Sequence, residues 1–506
     1  MLIPPSWVMG GAVNLSGCLL ATETMANAKS FTSGTQTQLA MSKKKKKGSK
    51  LSKQKAAAKA TQDALDDFRK KITQEAWFNA RQGYFLVKKG DTILPDRGFL
   101  KGLEHPLMKI APSKAAAYKA IRGIDAEVKY NSSVQYHGAY AGQRTGDRIK
   151  CGDSDWLVTS SPKLVEPVKG DWPNLRRLIE TLIPNNIARQ ALYAWTQTQY
   201  KAIRRKKHSS CPVLILAGDA NDGKTMFLQL LTTIRGGRQT NPIAAWSGEG
   251  PAWNDHLVGC ECLNIDDSVA PKNYKARQKF ATKIKESIFI GAVTIDKRNH
   301  DSFTLNPQPV WGVAMAVNAT SDAIKTIPAL EGDDMNGKAV VIRTRRADIL
   351  YREQGDSAAS KRWQAYEDEL PAFADWLLND YETPTDLPDG CHKSRSGALV
   401  YLDPEAMSEL HRAGPAGLFE EVLLELRDQD YFAQQTRNPT TTAELLSEAR
   451  NYCGDRDWRV PQSTQVAGMY LAQIDKRSDG CIECAGENRN HSKLWVFKEL
   501  PDGNPF

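Results

Sequence analysis

The segment Gly218-Asp219-Ala220-Asn221-Asp222-Gly223-Lys224-Thr225 constrains this chain more than any other. It follows the apolar run Val213-Leu214-Ile215-Leu216-Ala217 and precedes Met226-Phe227-Leu228-Gln229-Leu230-Leu231. Strand, glycine loop and helix in that order lift a G-x-x-x-x-G-K-T match above a chance turn. Gly218 and Gly223 let the backbone curl, so that successive N–H groups point inward at phosphate oxygens. The helix that follows adds its positive N-terminal end. Lys224 reaches the β/γ-phosphates and Thr225 offers a hydroxyl to Mg²⁺. Residues 218–226 (Gly218, Asp219, Ala220, Asn221, Asp222, Gly223, Lys224, Thr225 and Met226) are therefore the expected site for a nucleoside triphosphate. The bland alternative is a glycine turn between a strand and a helix.

The chain has 506 residues, room for roughly three to four domains at ~150 residues each. Hydrophobic content of 41% and charged content of 25% read as soluble and globular. No apolar run approaches the ~20 residues of a membrane helix. The net charge of +9 is concentrated at one place: residues 41–71 hold twelve Lys and Arg against three Asp, which equals the whole surplus. The body is thus about neutral. The basic stretch reads either as an arm for nucleic acid or an anionic surface, or as a solvated disordered end. Met41-Ser42-Lys43 looks more like a natural start than Met1, and residues 1–40 read as a leader-like extension without the features of a signal peptide.

Nine scattered cysteines in a long chain read as reduced thiols. Cys481-Ile482-Glu483-Cys484, with Cys453 and His491, could supply four zinc ligands, but there is no second C-x-x-C pair, and the strand of a hairpin is the preferred reading.

Composition and periodicity divide the chain. Residues 1–60 read as a disordered, basic tail and 61–169 as a small α+β module, with a hairpin around Lys88-Lys89-Gly90-Asp91 and a strand at Trp156-Leu157-Val158-Thr159. Residues 170–210 form a helical collar. One helix opens at Trp172-Pro173-Asn174, and a second is capped by Asn185 or Asn186. Residues 211–350 are the nucleotide domain, 351–403 a helical extension and linker, and 404–506 a last module of two helices and a hairpin.

Three further features narrow the chemistry. Cys262-Leu263-Asn264-Ile265 is a short strand ending in Asp266-Asp267-Ser268. A carboxylate at a strand end beside a phosphate loop can hold Mg²⁺, and a second can polarise the attacking water. Asp266 is assigned to the metal with Thr225, and Asp267 to the water; a capping Asp pair is the alternative. The alternating run 291–300 ends in Lys297-Arg298-Asn299-His300, a tip suited to nucleic-acid phosphates. Trp311-Gly312-Val313-Ala314-Met315-Ala316-Val317 is a third buried strand ending in Asn318, whose amide can orient water or sense the γ-phosphate, or simply form a turn.

Phosphate loop, Asp-Asp strand, G-x-x-x-x-D-K loop and strand-Asn, within residues 218–318, resemble the superfamily 3 helicases in order and compactness. These are AAA+-like motors of viruses, phages and mobile elements. The chain looks most similar to the helicase part of phage and plasmid primase-helicases. The resemblance covers about 170–380, and its discriminating piece is residues 291–300.

That resemblance implies an α/β fold with a P-loop AAA+-like ATPase core and a helical N-terminal flank; the two helices and hairpin of 404–506 read as a C-terminal winged-helix-like domain whose second helix enters a DNA groove, or else as a plain protein-interaction domain. The resemblance implies a homo-oligomeric ring, usually a hexamer, with ATP and Mg²⁺ between subunits. Lys224, Thr225, Asp266, Asp267 and Asn318 are the implied ATP residues, and Lys297, Arg298 and His300 the implied DNA contacts in the channel. A neighbouring subunit should supply an arginine finger. Lys338 stands where related proteins often carry Arg, which brings Arg343, Arg345 and Arg346 into consideration. The expected partners are single-stranded and forked DNA and a separate primase or polymerase, without a membrane, in a bacterial or host cytoplasm. Two other classes stay open on the residues alone: a P-loop small-molecule kinase, and a non-motor initiator that uses ATP only to assemble on DNA.

Overall fold

The computed structural model describes residues 39–248, 253–266, 274–288, 291–298, 302–318, 337–352, 354, 358–387, 390–394, 396–413, 415–427, 439–454, 457, 459–477, 480–489 and 491–498. No helix among them is long and apolar enough to cross a membrane.

At the centre lies a five-stranded sheet: β1 (Val213–Gly218), β2 (Gln239–Thr240), β3 (Cys262–Asp266), β4 (Gly312–Asn318) and β5 (Ala339–Arg343). Its spatial order is β5-β1-β4-β3-β2, and every adjacent pair is parallel. Parallel strands need both faces covered, which explains their near-continuous apolar sequence. The faces alternate residue by residue. Leu214, Leu216, Ala314, Ala316, Val340 and Ile342 join one cluster. Val213, Ile215, Ala217, Val313, Met315, Val317, Ala339 and Val341 join the other, with Trp246, Phe280 and Ile284.

The first face is covered by α1 (Pro173–Leu182), α2 (Asn186–Arg204), α3 (Lys224–Ile234) and residues from 366–401. Pro173 opens α1, and the Asn185 side chain caps α2 by accepting the Ile187 N–H at 2.8 Å. The expected collar and helical extension thus share one core with the sheet, because Leu175, Trp195, Phe227 and Phe373 are mutually buried.

Upstream, a helix at Leu39–Gln74 begins well before residue 61, where the α+β module was expected to start. It takes in residues expected to be disordered; lysine and the Ala56-Ala57-Ala58 run are good helix formers. Leu65, Phe68 and Ile72 pack it on a small core with Phe85, Leu107, Ile121 and Val128. The hairpin at Gly90 forms between Tyr84–Lys89 and Thr92–Asp96. A second small sheet joins Tyr136–Gly138, Ser154–Val158 and Arg148–Cys151.

This upstream unit is keyed to the central sheet by a buried ion pair. Glu261, fully buried, pairs with Arg238 (Nε to Oε2, 2.9 Å) and accepts the Gly142 N–H at 2.7 Å. Arg238 also donates to the Ser160 carbonyl at 3.1 Å.

The last module has its own core, built by Phe419, Val422, Leu445, Leu471, Ile482 and Trp495. Helices Thr442–Cys453 and Thr464–Asp475 precede the hairpin of Ile482–Glu487 and Lys493–Phe497, and Thr440–Thr441 adds a third strand. Thr441 and Glu444 form a capping box. Cys481 is buried and Cys484 exposed at the start of that hairpin.

Candidate functional site

The glycine loop leaves the C-terminal end of β1 and closes at the first turn of α3. Two residues carry the left-handed backbone this needs: Asn221 at φ 65° and Gly223, the N-cap, at φ 110°. Gly218 is required for space, since a Cβ there would stand 2.0 Å from Thr344 Oγ1 and 2.4 Å from Asp222 Oδ2.

Asp219, Ala220 and Asn221 are exposed, whereas Asp222 and Lys224 are buried. Asp222 braces the loop from within. Its carboxylate accepts the Thr344 hydroxyl at 3.1 Å, and its carbonyl accepts the Ala347 N–H at 2.9 Å. Arg352 donates to the Asn221 carbonyl at 3.2 Å and to the Ala347 carbonyl at 2.8 Å. The segment after β5 therefore cradles the loop, a role with no local signal in the sequence. Met226 faces away, half-buried against the core below α3.

Lys224 folds over the loop. Its Nζ donates to the Gly218 carbonyl at 3.0 Å, the Asp219 carbonyl at 2.6 Å and Asn318 Oδ1 at 3.1 Å. Strand register brings Asn318 there: in the β4–β1 pair it sits opposite Gly218. Asp266 ends the next strand, level with Ala316. With strands ~4.8 Å apart, its backbone lies about 10 Å across the sheet from β1. Asp266 is exposed, as is Thr225. The carboxylate and the hydroxyl are hard oxygen donors, a set that suits Mg²⁺ when substrate phosphates complete its shell. Asp267 and His300 lie outside the described residues.

The finger candidates occupy different places. Arg343 ends β5, its side chain buried, with Nη2 3.6 Å from Asp219 Oδ1 of the same loop. Its guanidinium thus faces the loop of its own chain. Lys338 lies at the opposite end of the sheet, where its carbonyl accepts the Val213 N–H at 2.8 Å. The length of β1, about 16 Å at ~3.3 Å per residue, separates it from the loop of its own chain. Arg346 is exposed, beside the residues that brace the loop.

Lys297 and Arg298 lie in the connection of a short hairpin, between Val293–Ile295 and its partner strand Phe303–Leu305. Lys297 is half-buried and Arg298 exposed. Asn254 pins the hairpin: its Oδ1 accepts the Asp296 N–H at 2.7 Å, and its Nδ2 donates to the Thr294 carbonyl at 3.1 Å. Ser302 donates to the Asp296 carboxylate at 2.5 Å, closing the base of the tip.

No protein-family model and no curated protein matches the chain. Among solved structures it is similar to the apo C terminal region of NrS-1, with a TM-score of 0.47 and 12% identity over 83% of this chain and 95% of that one. It is similar to SCCmec type IV Cch, an active helicase, with a TM-score of 0.34 and 9% identity over 84% of this chain and 92% of that one. Likeness at this distance carries no function.

Proposed function

We propose that this protein is an ATP-dependent DNA helicase that serves replication of a phage, plasmid or mobile element. The observation that carries the reading is the convergence of Lys224 and Asn318 over a braced glycine loop, with Asp266 on the next strand of the same sheet edge. ATP would lie along the loop with its phosphates on the backbone N–H groups and the N-terminal end of α3. Lys224 would exchange its carbonyl partners for phosphate oxygens. Thr225 and Asp266 would hold Mg²⁺, which neutralises charge on the phosphates when bound. Asn318 would present its amide to the attacking water or the γ-phosphate. Asp267, by its place in sequence, is proposed as the residue that polarises that water.

On the same reading Lys297, Arg298 and His300 grip one DNA strand as subunits hydrolyse in turn. The assembly is proposed to be a homo-oligomeric ring, a hexamer, with Arg346 rather than Lys338 or the buried Arg343 as the finger offered across the subunit interface. The C-terminal helices and hairpin are proposed as a winged-helix domain on duplex DNA. Strand displacement on a forked duplex tests the proposal. Unwinding that requires both ATP and Mg²⁺ supports it. ATP turnover without unwinding points instead to an assembly switch, and indifference to DNA to a small-molecule kinase.

A further inference from the structure

The second small sheet of the upstream unit lies directly against the hairpin that carries Lys297. Phe303 stacks on Tyr136 with ring centroids 4.3 Å apart, and Tyr136 stacks in turn on Trp156 at 5.9 Å. Ile295 and Leu305 are buried in one cluster with Tyr140, Trp156 and Val158. Tyr140 donates its hydroxyl to the Pro307 carbonyl. Hairpin and upstream sheet therefore form one surface.

Polar and cationic groups continue that surface away from the tip. Arg81 lies over the Tyr136 ring at 5.5 Å and donates to its hydroxyl at 2.9 Å. The Tyr84 hydroxyl stands 2.9 Å from His137 Nε2, and Gln82 Oε1 lies 3.4 Å from the same nitrogen. Burial, and then the Lys297 ammonium nearby, hold the His137 imidazole below its ordinary pKa. Arg81 and Gln82 are exposed, and Tyr84, Tyr136 and His137 half-exposed. Cations that meet phosphates, rings that can stack on bases and an amide among them are the composition of a single-strand platform.

We propose that Arg81, Gln82, Tyr84, Tyr136 and His137 form a second contact for single-stranded DNA, continuous with Lys297. The strand would run from Lys297 across the upstream sheet, with Arg81 on a phosphate and the half-exposed Tyr84 ring against a base. This rests on the reading of Lys297 as a DNA contact and extends it to residues 76–158, for which the ATP site implies no role.

The test is fluorescence anisotropy of a labelled oligo-dT with the full chain over a range of salt concentrations. Each lost phosphate contact lowers the log–log salt slope by about 0.7 for a single strand. Arg81→Ala is expected to weaken binding roughly threefold or more and to lower the slope by about 0.7, as Lys297→Ala should. Arg81→Lys keeps the charge and should restore the slope; a merely structural tie to Tyr136 would not be rescued this way. An oligonucleotide carrying 5-iododeoxyuridine should crosslink to the peptides containing Tyr84 or Tyr136. Wild-type affinity and slope in Arg81→Ala, with Lys297→Ala impaired, would overturn the second contact and leave the hairpin reading standing. No binding by the wild-type chain would overturn both.

Discussion

Lys224 Nζ donates to Asn318 Oδ1 at 3.1 Å, joining the glycine loop of one strand to the end of its neighbour. The register that sets Asn318 opposite Gly218 makes this contact a property of the sheet. Lys224→Ala should abolish ATP turnover. Asn318→Ala should retain nucleotide binding and lower kcat about a hundredfold, the scale of losing one aimed polar group at a reacting centre. Steady-state turnover and nucleotide titration check this, and a change within twofold would remove Asn318 from the chemistry.

Gly218→Ala would drive its Cβ into Thr344 Oγ1 and Asp222 Oδ2. A cost of about 1–3 kcal/mol is expected for such overpacking. Thr344→Val removes the hydroxyl that Asp222 accepts and should cost a comparable ~1–3 kcal/mol. Both variants should show a smaller rise of Tm on adding nucleotide than wild type, measured by thermal shift.

The strand–loop–helix order was legible because it is local: an apolar run, spaced glycines and a helical period. The cradle was not. Thr344 on Asp222, Arg352 on Asn221 and Arg343 on Asp219 all depend on β5 pairing with β1, more than a hundred residues away in sequence. The same holds for Phe303 on Tyr136, which joins two segments far apart in sequence with no local signal of the contact. The early start at Leu39 was missed because a lysine-rich helix has almost no apolar period to detect.

Arg343 is buried beside Asp219 of its own chain. Mixing two inactive variants distinguishes its role from that of a finger. If Arg343 acts within its own subunit, Arg343→Ala mixed with Lys224→Ala should recover no ATPase activity, because every site still lacks one of the two. A finger acting across the interface would instead give mixed interfaces with both groups intact, and activity would return.

Glu261 is fully buried between Arg238 and the Gly142 N–H. Glu261→Gln leaves the Arg238 charge without its partner and should destabilise the fold by roughly 3 kcal/mol. Urea unfolding followed by tryptophan fluorescence should show a lower midpoint. An unchanged midpoint would mean that the upstream unit is held by its apolar contacts alone.

Hydrolysis at the glycine loop should be coupled to DNA, which ATP turnover in Mg²⁺ with and without single-stranded DNA will show most directly. Single-stranded DNA should bind and raise turnover, and Lys297→Ala with His300→Ala should lose that stimulation. A wild-type chain that neither binds single-stranded DNA nor changes its turnover in the presence of that strand would not be a DNA motor.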